Sequence, residues 1–259
     1  YAALGDYSNA VKTYLEAYEK TDNEYIKAQA NLLSGQIYSQ LGFPEQAYAR
    51  YQDSVANFHE AYDSYAGLLV LVQDGIPVSD LDRGIVDYYA GQYGYAAEAL
   101  ARYTAAQPDH DGSPHHFRAL SLRQMAEYPA AIDEWRALIS DHAEDSYWGQ
   151  AWQEIAYTQW AYLDDFDSAA ETLKNYVALQ PAAPDAAERL FTAGRILERG
   201  ERLTAAAATW ARLIDEYPSV EISFRGLFLS GVTHFRLKDY DQALTTFQRM
   251  AALAVNPYD

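Results

Sequence analysis

An alanine recurs along this chain at a nearly constant interval, and that interval limits the folds that the sequence can adopt. Successive copies are separated by 37, 49, 35, 38, 37 and 37 residues. A large side chain follows each alanine four residues later, a spacing that places both residues on one face of an α-helix. The seven pairs are Ala10 with Tyr14, Ala47 with Tyr51, Ala96 with Leu100, Ala131 with Trp135, Ala169 with Leu173, Ala206 with Trp210, and Ala243 with Phe247.

Two further positions repeat together with the alanine. A proline follows twelve residues after it in three repeats, where it would end a helix. Twelve residues before the six later alanines stands a small residue in every case but one, which lets two helices approach closely. Tyr157 is the exception, so we expect its repeat to pack more loosely or to hold its helices further apart. The prolines are Pro108, Pro181 and Pro218, and the preceding positions are Gly35, Gly84, Ala119, Tyr157, Gly194 and Gly231.

The order glycine, aromatic, alanine, aromatic and proline resembles the tetratricopeptide (TPR) family of helix–turn–helix repeats, over nearly the whole chain. The usual TPR period is about 34 residues, so longer helices or turns are expected here. The resemblance implies an all-α fold, a right-handed superhelix of about fifteen antiparallel helices. We expect residues 1–259 to form a single solenoid of six complete repeats with a partial repeat at the N-terminus.

The longest step between alanines predicts an extra helix in the array. Glu60 to Gln73 has helical periodicity, a break with glycine, proline and serine follows, and Leu81 to Gly91 predicts the next helix. The inserted helix therefore lies within residues 60–91. Tyr1 stands where the middle of a first helix is expected, and Val255 to Asp259 closes a second helix. Because solenoids usually end in polar capping helices, we expect this chain to be a piece of a longer protein.

The composition excludes several classes of protein. The formal charge of −18 argues against binding to nucleic acid or to an anionic membrane, because both need a basic surface. The absence of cysteine excludes disulfides and thiolate metal sites. The most apolar run, Ala66 to Val72, is far shorter than the roughly 18 residues that a membrane-spanning helix requires. We therefore expect neither a nucleic-acid partner nor a membrane-spanning segment.

Two clusters contain residue types that catalysis or metal binding would use. The first has histidines and aspartates close together but lacks an ordered ligand spacing such as HExxH. The second has three aspartates at a predicted helix start, where aspartate is favoured as a cap. No phosphate-binding glycine loop, GxSxG motif or dinucleotide fingerprint occurs. We expect no enzyme activity, cofactor or metal. The clusters are Asp109, His110, Asp111, His115 and His116, and Asp164, Asp165 and Asp167.

Aromatic residues crowd the helix predicted for Tyr147 to Leu163. Their helical spacing assigns Trp148, Trp152 and Trp160 mainly to the core, while one or two of the aromatics could face a groove.

A concave groove lined by the first helices is the usual binding surface of such a solenoid. Four of the candidate groove residues are arginines near the C-terminal end, and guanidinium groups are suited to binding carboxylates in a fork. The alternative is that they pair with Glu188, Glu198 and Glu221 nearby. The full candidate set is Gln36, Tyr88, His116, Arg123, Glu154, Tyr162, Phe191, Arg195, Arg199, Arg225 and Arg236.

Chaperone-binding members of the TPR family use a lysine and an asparagine on one first helix to hold a carboxylate. The corresponding residues here are Leu32 with Gln36, or Phe191 with Arg195. These pairs do not match the clamp of that subfamily.

A narrower resemblance involves Tyr147 to Leu173 with its flanking repeats, which look like the N-terminal superhelical region of bacterial soluble lytic murein transglycosylases. The Glu-Ser and Gly-Leu-Met-Gln motifs of their catalytic domain are absent from this sequence. The resemblance implies a non-catalytic scaffold in the bacterial cell envelope that positions a peptidoglycan strand or a protein segment. The run Glu216 to Gly231 also looks like envelope TPR lipoproteins and outer-membrane assembly factors. A free-standing adaptor for protein partners, in the envelope or the cytoplasm, is therefore the alternative.

Overall fold

The computed structural model describes residues 1–253, and in this range the chain is all-α. One turn of 3₁₀ helix at Ala2–Leu4 precedes fourteen α-helices, and no strand occurs in the described range. The helices are α1 (Tyr7–Lys20), α2 (Glu24–Gln40), α3 (Pro44–Asn57), α4 (Tyr62–Gln73), α5 (Asp80–Tyr89), α6 (Tyr93–Ala106), α7 (Ser113–Gln124), α8 (Tyr128–Asp141), α9 (Trp148–Tyr162), α10 (Phe166–Leu179), α11 (Ala186–Arg199), α12 (Leu203–Glu216), α13 (Glu221–Arg236) and α14 (Tyr240–Leu253).

The predicted all-α fold is thus confirmed, with fourteen α-helices within residues 1–253 where about fifteen helices were expected in the chain. The right-handed sense of the superhelix stays a prediction. The expected end of the last helix, Val255 to Asp259, lies outside the described residues. None of the helices within residues 1–253 combines the length and the apolar character needed to cross a bilayer.

Two compact units divide the chain, and each has its own packing. The first runs from Tyr1 to Leu138 and the second begins at Ile139. In the first unit α4 contacts α2, α3 and α5, and its Leu68 and Leu71 are buried beside Tyr51. This helix is the predicted insertion, and it begins two residues later than expected. The second unit contains three helix pairs, α9 with α10, α11 with α12 and α13 with α14.

Short polar side chains fix where several helices begin. Asp6 accepts a hydrogen bond from the backbone N–H of Asn9 at 3.3 Å, and Asn23 accepts one from Ile26 at 3.2 Å. Asp165 likewise accepts one from Ser168 at 3.1 Å and caps α10. Such caps satisfy backbone donors that have no partner inside the helix. The capping role expected within the cluster of three aspartates is therefore confirmed for Asp165.

The repeating alanines all lie in the core, as their periodicity predicts. Each of the seven is at most 3% exposed. In four repeats the residue twelve positions earlier is a glycine, and it lies against the large side chain four positions after the alanine. A Cβ atom built on the glycine would lie less than 3.0 Å from that side chain in four repeats, so only glycine fits there. These contacts join Gly35 to Tyr51, Gly84 to Leu100, Gly194 to Trp210, and Gly231 to Phe247.

The prediction of loose packing around Tyr157 is wrong, because a longer turn changes the register of α9. In the turn after α11 the N–H of Arg202 bonds to the carbonyl of Leu197, five residues earlier. After α9 the N–H of Asp165 instead bonds to Gln159, six residues earlier. The extra residue brings Ala156, which is 2% exposed, to the small position. Tyr157 is turned outward and is 40% exposed.

Enlarging one of the repeating alanines should overpack its repeat. Ala206 is fully buried on α12, whereas Ala208 is exposed on the same helix. We expect Ala206→Leu to lower the free energy of unfolding by about 1–3 kcal/mol, measured by urea denaturation. The control Ala208→Leu should change it by less than about 0.5 kcal/mol. Equal effects of the two substitutions would contradict the assigned register.

Asp87 on α5 is a buried carboxylate whose ion pair with Arg83 is long. Its side chain is 6% exposed, Oδ2 has no hydrogen-bond donor, and Nε of Arg83 lies 3.6 Å away. Burial raises the pKa of Asp87 to about 6, although the charges of Arg83 and Arg102 act in the opposite direction. The folded protein therefore holds this proton at pH values where the unfolded chain has released it.

This raised pKa predicts a pH dependence of stability. The free energy of unfolding should fall as pH rises from about 4 to about 6, because deprotonation then favours the unfolded chain. In Asp87→Asn the contribution of Asp87 to this fall should be absent, and the variant should be more stable than the parent at pH 7 by about 1–3 kcal/mol. Urea denaturation across the pH range tests this, with exposed Asp22→Asn as the matched control. A parallel pH profile for Asp87→Asn and the parent would refute it.

Candidate ligand-binding site

Three arginines of the second unit converge on one cavity, named here the arginine cavity. Its volume is about 520 Å³, and α9, α11 and α13 all contribute to its wall. The polar groups that face it are three guanidinium groups, one carboxylate and one hydroxyl, with an indole and an isoleucine as apolar wall. The lining residues are Trp160, Thr192, Arg195, Ile196, Glu198, Arg199 and Arg236.

The helix register explains why these side chains share one cavity. On α11, Glu198 and Arg199 follow the packing residue Gly194 by four and five residues. On α9, Trp160 follows Ala156 by four, and on α13 Arg236 follows Gly231 by five. Because a given distance from the packing residue corresponds to the same direction on each first helix, residues at equivalent positions on the three helices lie near one another.

Two of the arginines are already paired with carboxylates. Glu198 lies 3.2 Å from Nη1 of Arg195 and 3.3 Å from Nη1 of Arg236. Arg236 also donates to Glu201 at 2.8 Å. The Glu198 side chain is 15% exposed, so this carboxylate is largely sheltered from water. The predicted alternative of pairing with Glu198 therefore describes Arg195 and Arg236.

Arg199 has a different environment. Its guanidinium carbon lies 4.7 Å from the ring centre of Trp160, which is a cation–π distance. No carboxylate among residues 1–253 lies within ion-pair distance of it. A guanidinium that stacks on a ring by its face still has N–H groups along its edge with which to bind an anion.

A second cavity of about 420 Å³, named the aromatic cavity, shares Arg195 with the first. The guanidinium carbon of Arg225 lies 5.0 Å from the ring centre of Phe191, the same kind of stack as that of Arg199 on Trp160. The described residues place no carboxylate within ion-pair distance of Arg225 either. The aromatic cavity is lined by Phe191, Arg195, Phe224, Arg225, Phe228 and Leu229.

A buried arginine holds the two helices that form the base of the arginine cavity. Arg189 on α11 pairs with Asp185 at 2.9 Å and donates to the carbonyl of Gly149 on α9 at 3.0 Å. It also stacks on Tyr176 at 4.5 Å. Burial acts to raise the pKa of Asp185, but hydrogen bonds from Tyr176 and Arg189 outweigh it and leave this pKa below its usual value. This network fixes α11 against α9 and so positions Thr192 and Trp160.

The remaining candidate groove residues line neither the arginine cavity nor the aromatic cavity. In the first unit Tyr88 packs on Phe117 at 5.5 Å, Arg123 stacks on Trp135 at 5.2 Å, and His116 is 3% exposed. In the same unit Gln36 is exposed. In the second unit Glu154 accepts a hydrogen bond from Gln150 at 3.3 Å.

Tyr162 does not line the arginine cavity, whereas Trp160 on the same helix does. The ring of Tyr162 instead lies 5.6 Å from that of Tyr157. The longer turn after α9 shifted the true register, so counting from Tyr157 selected the wrong residues. The one sign of the true register in the sequence was Ala156, a small residue directly beside Tyr157. Trp148 and Trp152 pack against the core of the second unit, as expected.

The histidine-rich segment makes contacts within the first unit. Nδ1 of His110 donates to the backbone carbonyl of Asp111 at 2.6 Å, and the His110 ring lies 5.0 Å from that of His115. Nδ1 of His115 lies 2.7 Å from Glu134. Asp111 accepts a hydrogen bond from the N–H of Ser113 at 3.0 Å, at the start of α7.

Comparison with protein families finds one match. The model of the tetratricopeptide repeat family matches residues 161–221 and 191–257. This part of the chain contains the helices of the arginine cavity and the aromatic cavity, apart from most of α9. The predicted resemblance to TPR repeats is therefore supported there. The curated proteins contain no match to the sequence.

Solved structures with similar helical repeats are known. One is MamA from Desulfovibrio magneticus, at 16% identity and a TM-score of 0.41, over 66% of this chain and 90% of that one. Another crystal structure of MamA has 16% identity and a TM-score of 0.45, over 69% and 96%. A TPR protein from Parabacteroides merdae has 13% identity and a TM-score of 0.40, over 89% and 81%.

Proposed function

We propose that this chain is a non-catalytic helical-repeat scaffold whose second unit binds an acidic segment of a partner protein. The convergence of three guanidinium groups on one cavity, in a chain of formal charge −18, carries the proposal. The ligand would place carboxylates in the arginine cavity and an apolar side chain in the neighbouring aromatic cavity.

The carboxylates of Glu198 and Glu201 offset only part of the arginine charge at this cavity, which supports a binding role. Arg195 and Arg199 are four residues apart on α11, and like charges at this spacing destabilise a helix. Arg236 adds a third positive charge from α13. Natural sequences depart from such local rules mostly at functional sites. An incoming carboxylate would relieve the repulsion and accept charge-assisted hydrogen bonds.

A protein segment fits the two cavities better than a purely ionic ligand does. The aromatic cavity combines Phe191, Phe224 and Phe228 with a single stacked arginine, so it offers apolar contact beside charge. A peptide can present both kinds of side chain at neighbouring positions. The similarity to TPR repeats agrees with a protein partner, because solenoids of this type bind extended ligands along their surface.

The second interpretation of the sequence is that the chain is the scaffold region of a lytic transglycosylase. Its ligand would be a peptidoglycan strand, whose stem peptides also end in carboxylates, and its location would be the cell envelope. The matched family model is that of the tetratricopeptide repeat, and both cavities are lined by arginine together with aromatic or aliphatic side chains. We therefore keep peptidoglycan as an outcome of the experiment and propose the protein segment.

Removing Arg195, which lines both cavities, together with Arg225, which stacks on Phe191, should weaken binding. We expect Arg195→Ala with Arg225→Ala to lower the affinity for a short fluorescent peptide of glutamate and phenylalanine by at least about tenfold at low salt. Fluorescence anisotropy measures the affinity, and circular dichroism checks that the helices remain. Binding by the parent should also weaken as salt is added, because partly exposed charges are screened.

The control is a double variant of arginines outside both cavities. Arg202 and Arg212 of the same unit are paired with Asp167 and Glu216 at the surface, so Arg202→Ala with Arg212→Ala should leave the affinity nearly unchanged. An equal loss of affinity in both double variants would show that only the net charge of the protein matters, and it would refute the proposed site. Binding of soluble muropeptides in preference to the acidic peptide would establish the peptidoglycan reading instead.

A further inference from the structure

We infer that Glu198 is a built-in competitor for the ligand, and that Arg199 is the guanidinium that contacts the ligand's carboxylate in the arginine cavity. The inference rests on the proposed function. It gives Glu198 and Arg199 separate roles, whereas the sequence analysis grouped the arginines only as candidate groove residues.

The geometry of Glu198 is that of a carboxylate already bound by the site. It bridges Arg195 on its own helix and Arg236 on α13, at 3.2 and 3.3 Å. Its side chain is largely sheltered, and two guanidinium groups on one carboxylate make a stronger pairing than a single exposed ion pair. Glu198 therefore does within the protein what an acidic ligand would do.

The stacked arginine is left for the ligand. Arg199 is exposed, and its guanidinium carbon lies 4.7 Å from the ring centre of Trp160, a contact that restricts the side chain while no carboxylate among residues 1–253 lies within ion-pair distance of it. Ordering this side chain before binding lowers the entropy cost of capturing an anion. Arg225 is held in the same way on Phe191. The two stacked arginines lie on the neighbouring first helices α11 and α13, one in each cavity.

The different roles of Glu198 and Arg199 make the site selective among acidic ligands. The negative charge of Glu198 offsets part of the positive charge of the cavity, so a stray anion gains little there. A ligand binds only if its carboxylate reaches Arg199 while a second group contacts Arg225 or the surrounding phenylalanines. Building in a repulsive element to reject poor ligands is a known way to achieve specificity.

Removing the charge of Glu198 should strengthen binding, which is the opposite of what loss of a ligand contact does. With the glutamate and phenylalanine peptide as probe, Glu198→Gln should raise the affinity by about threefold or more. Arg199→Ala should lower it by about tenfold. Arg195→Ala should lower it by less than about threefold, because Arg195 is already occupied by Glu198. Arg199→Lys should restore the affinity only in part, since lysine lacks the planar fork.

Stability measurements separate these effects from unfolding. Urea denaturation should show that each variant remains folded, and Glu198→Ala provides a second neutral variant if Glu198→Gln does not fold. If the parent binds no acidic peptide, the proposed function itself fails. If the parent binds but both neutral variants bind no tighter, or if Arg195→Ala weakens binding as much as Arg199→Ala, only the present inference is overturned.

Discussion

Four repeats of this protein depend on one kind of contact, between a glycine and a large side chain on the next helix. Trp210 lies against the backbone of Gly194, so closely that a methyl group on that glycine would collide with the ring. The contact brings two helices close together, and other side chains then pack along the interface between them. It also determines which residues of the first helix face outward, and so places Arg199 and Glu198 in a common cavity.

The same contact explains how much of the fold the sequence predicts. A glycine, an alanine and a large side chain at fixed intervals leave a signal that repeats, and helix bounds within a few residues follow from it. The exception at α9 arises from one extra residue in a turn. Turn length has no periodic signal of its own, and Tyr157 happened to stand at the expected distance. Packing shows instead that Ala156 fills the small position, because only it is buried against the facing helix.

The candidate site was predictable in part for a related reason. Register places Arg195, Arg199 and Arg236 near one another, since each has a fixed distance from a packing glycine. Their individual states depend on side-chain geometry, which register does not specify. Whether an arginine meets Glu198 or rests on Trp160 is decided by distances of a few ångströms between neighbouring helices. Sequence therefore predicts the positive charge of the cavity, and structure distinguishes the paired guanidinium groups from the stacked one.

The spacing of the glycine contacts has a consequence for how the chain reaches its fold. Gly194 and Trp210, like Gly231 and Phe247, are separated by only sixteen residues. Contacts between residues near in sequence need little loop closure before they form, and proteins rich in them fold rapidly. Each helix pair can therefore nucleate by itself and then template its neighbour, as in other linear arrays of repeats. During synthesis, early repeats of this kind can assemble before the later ones have left the ribosome.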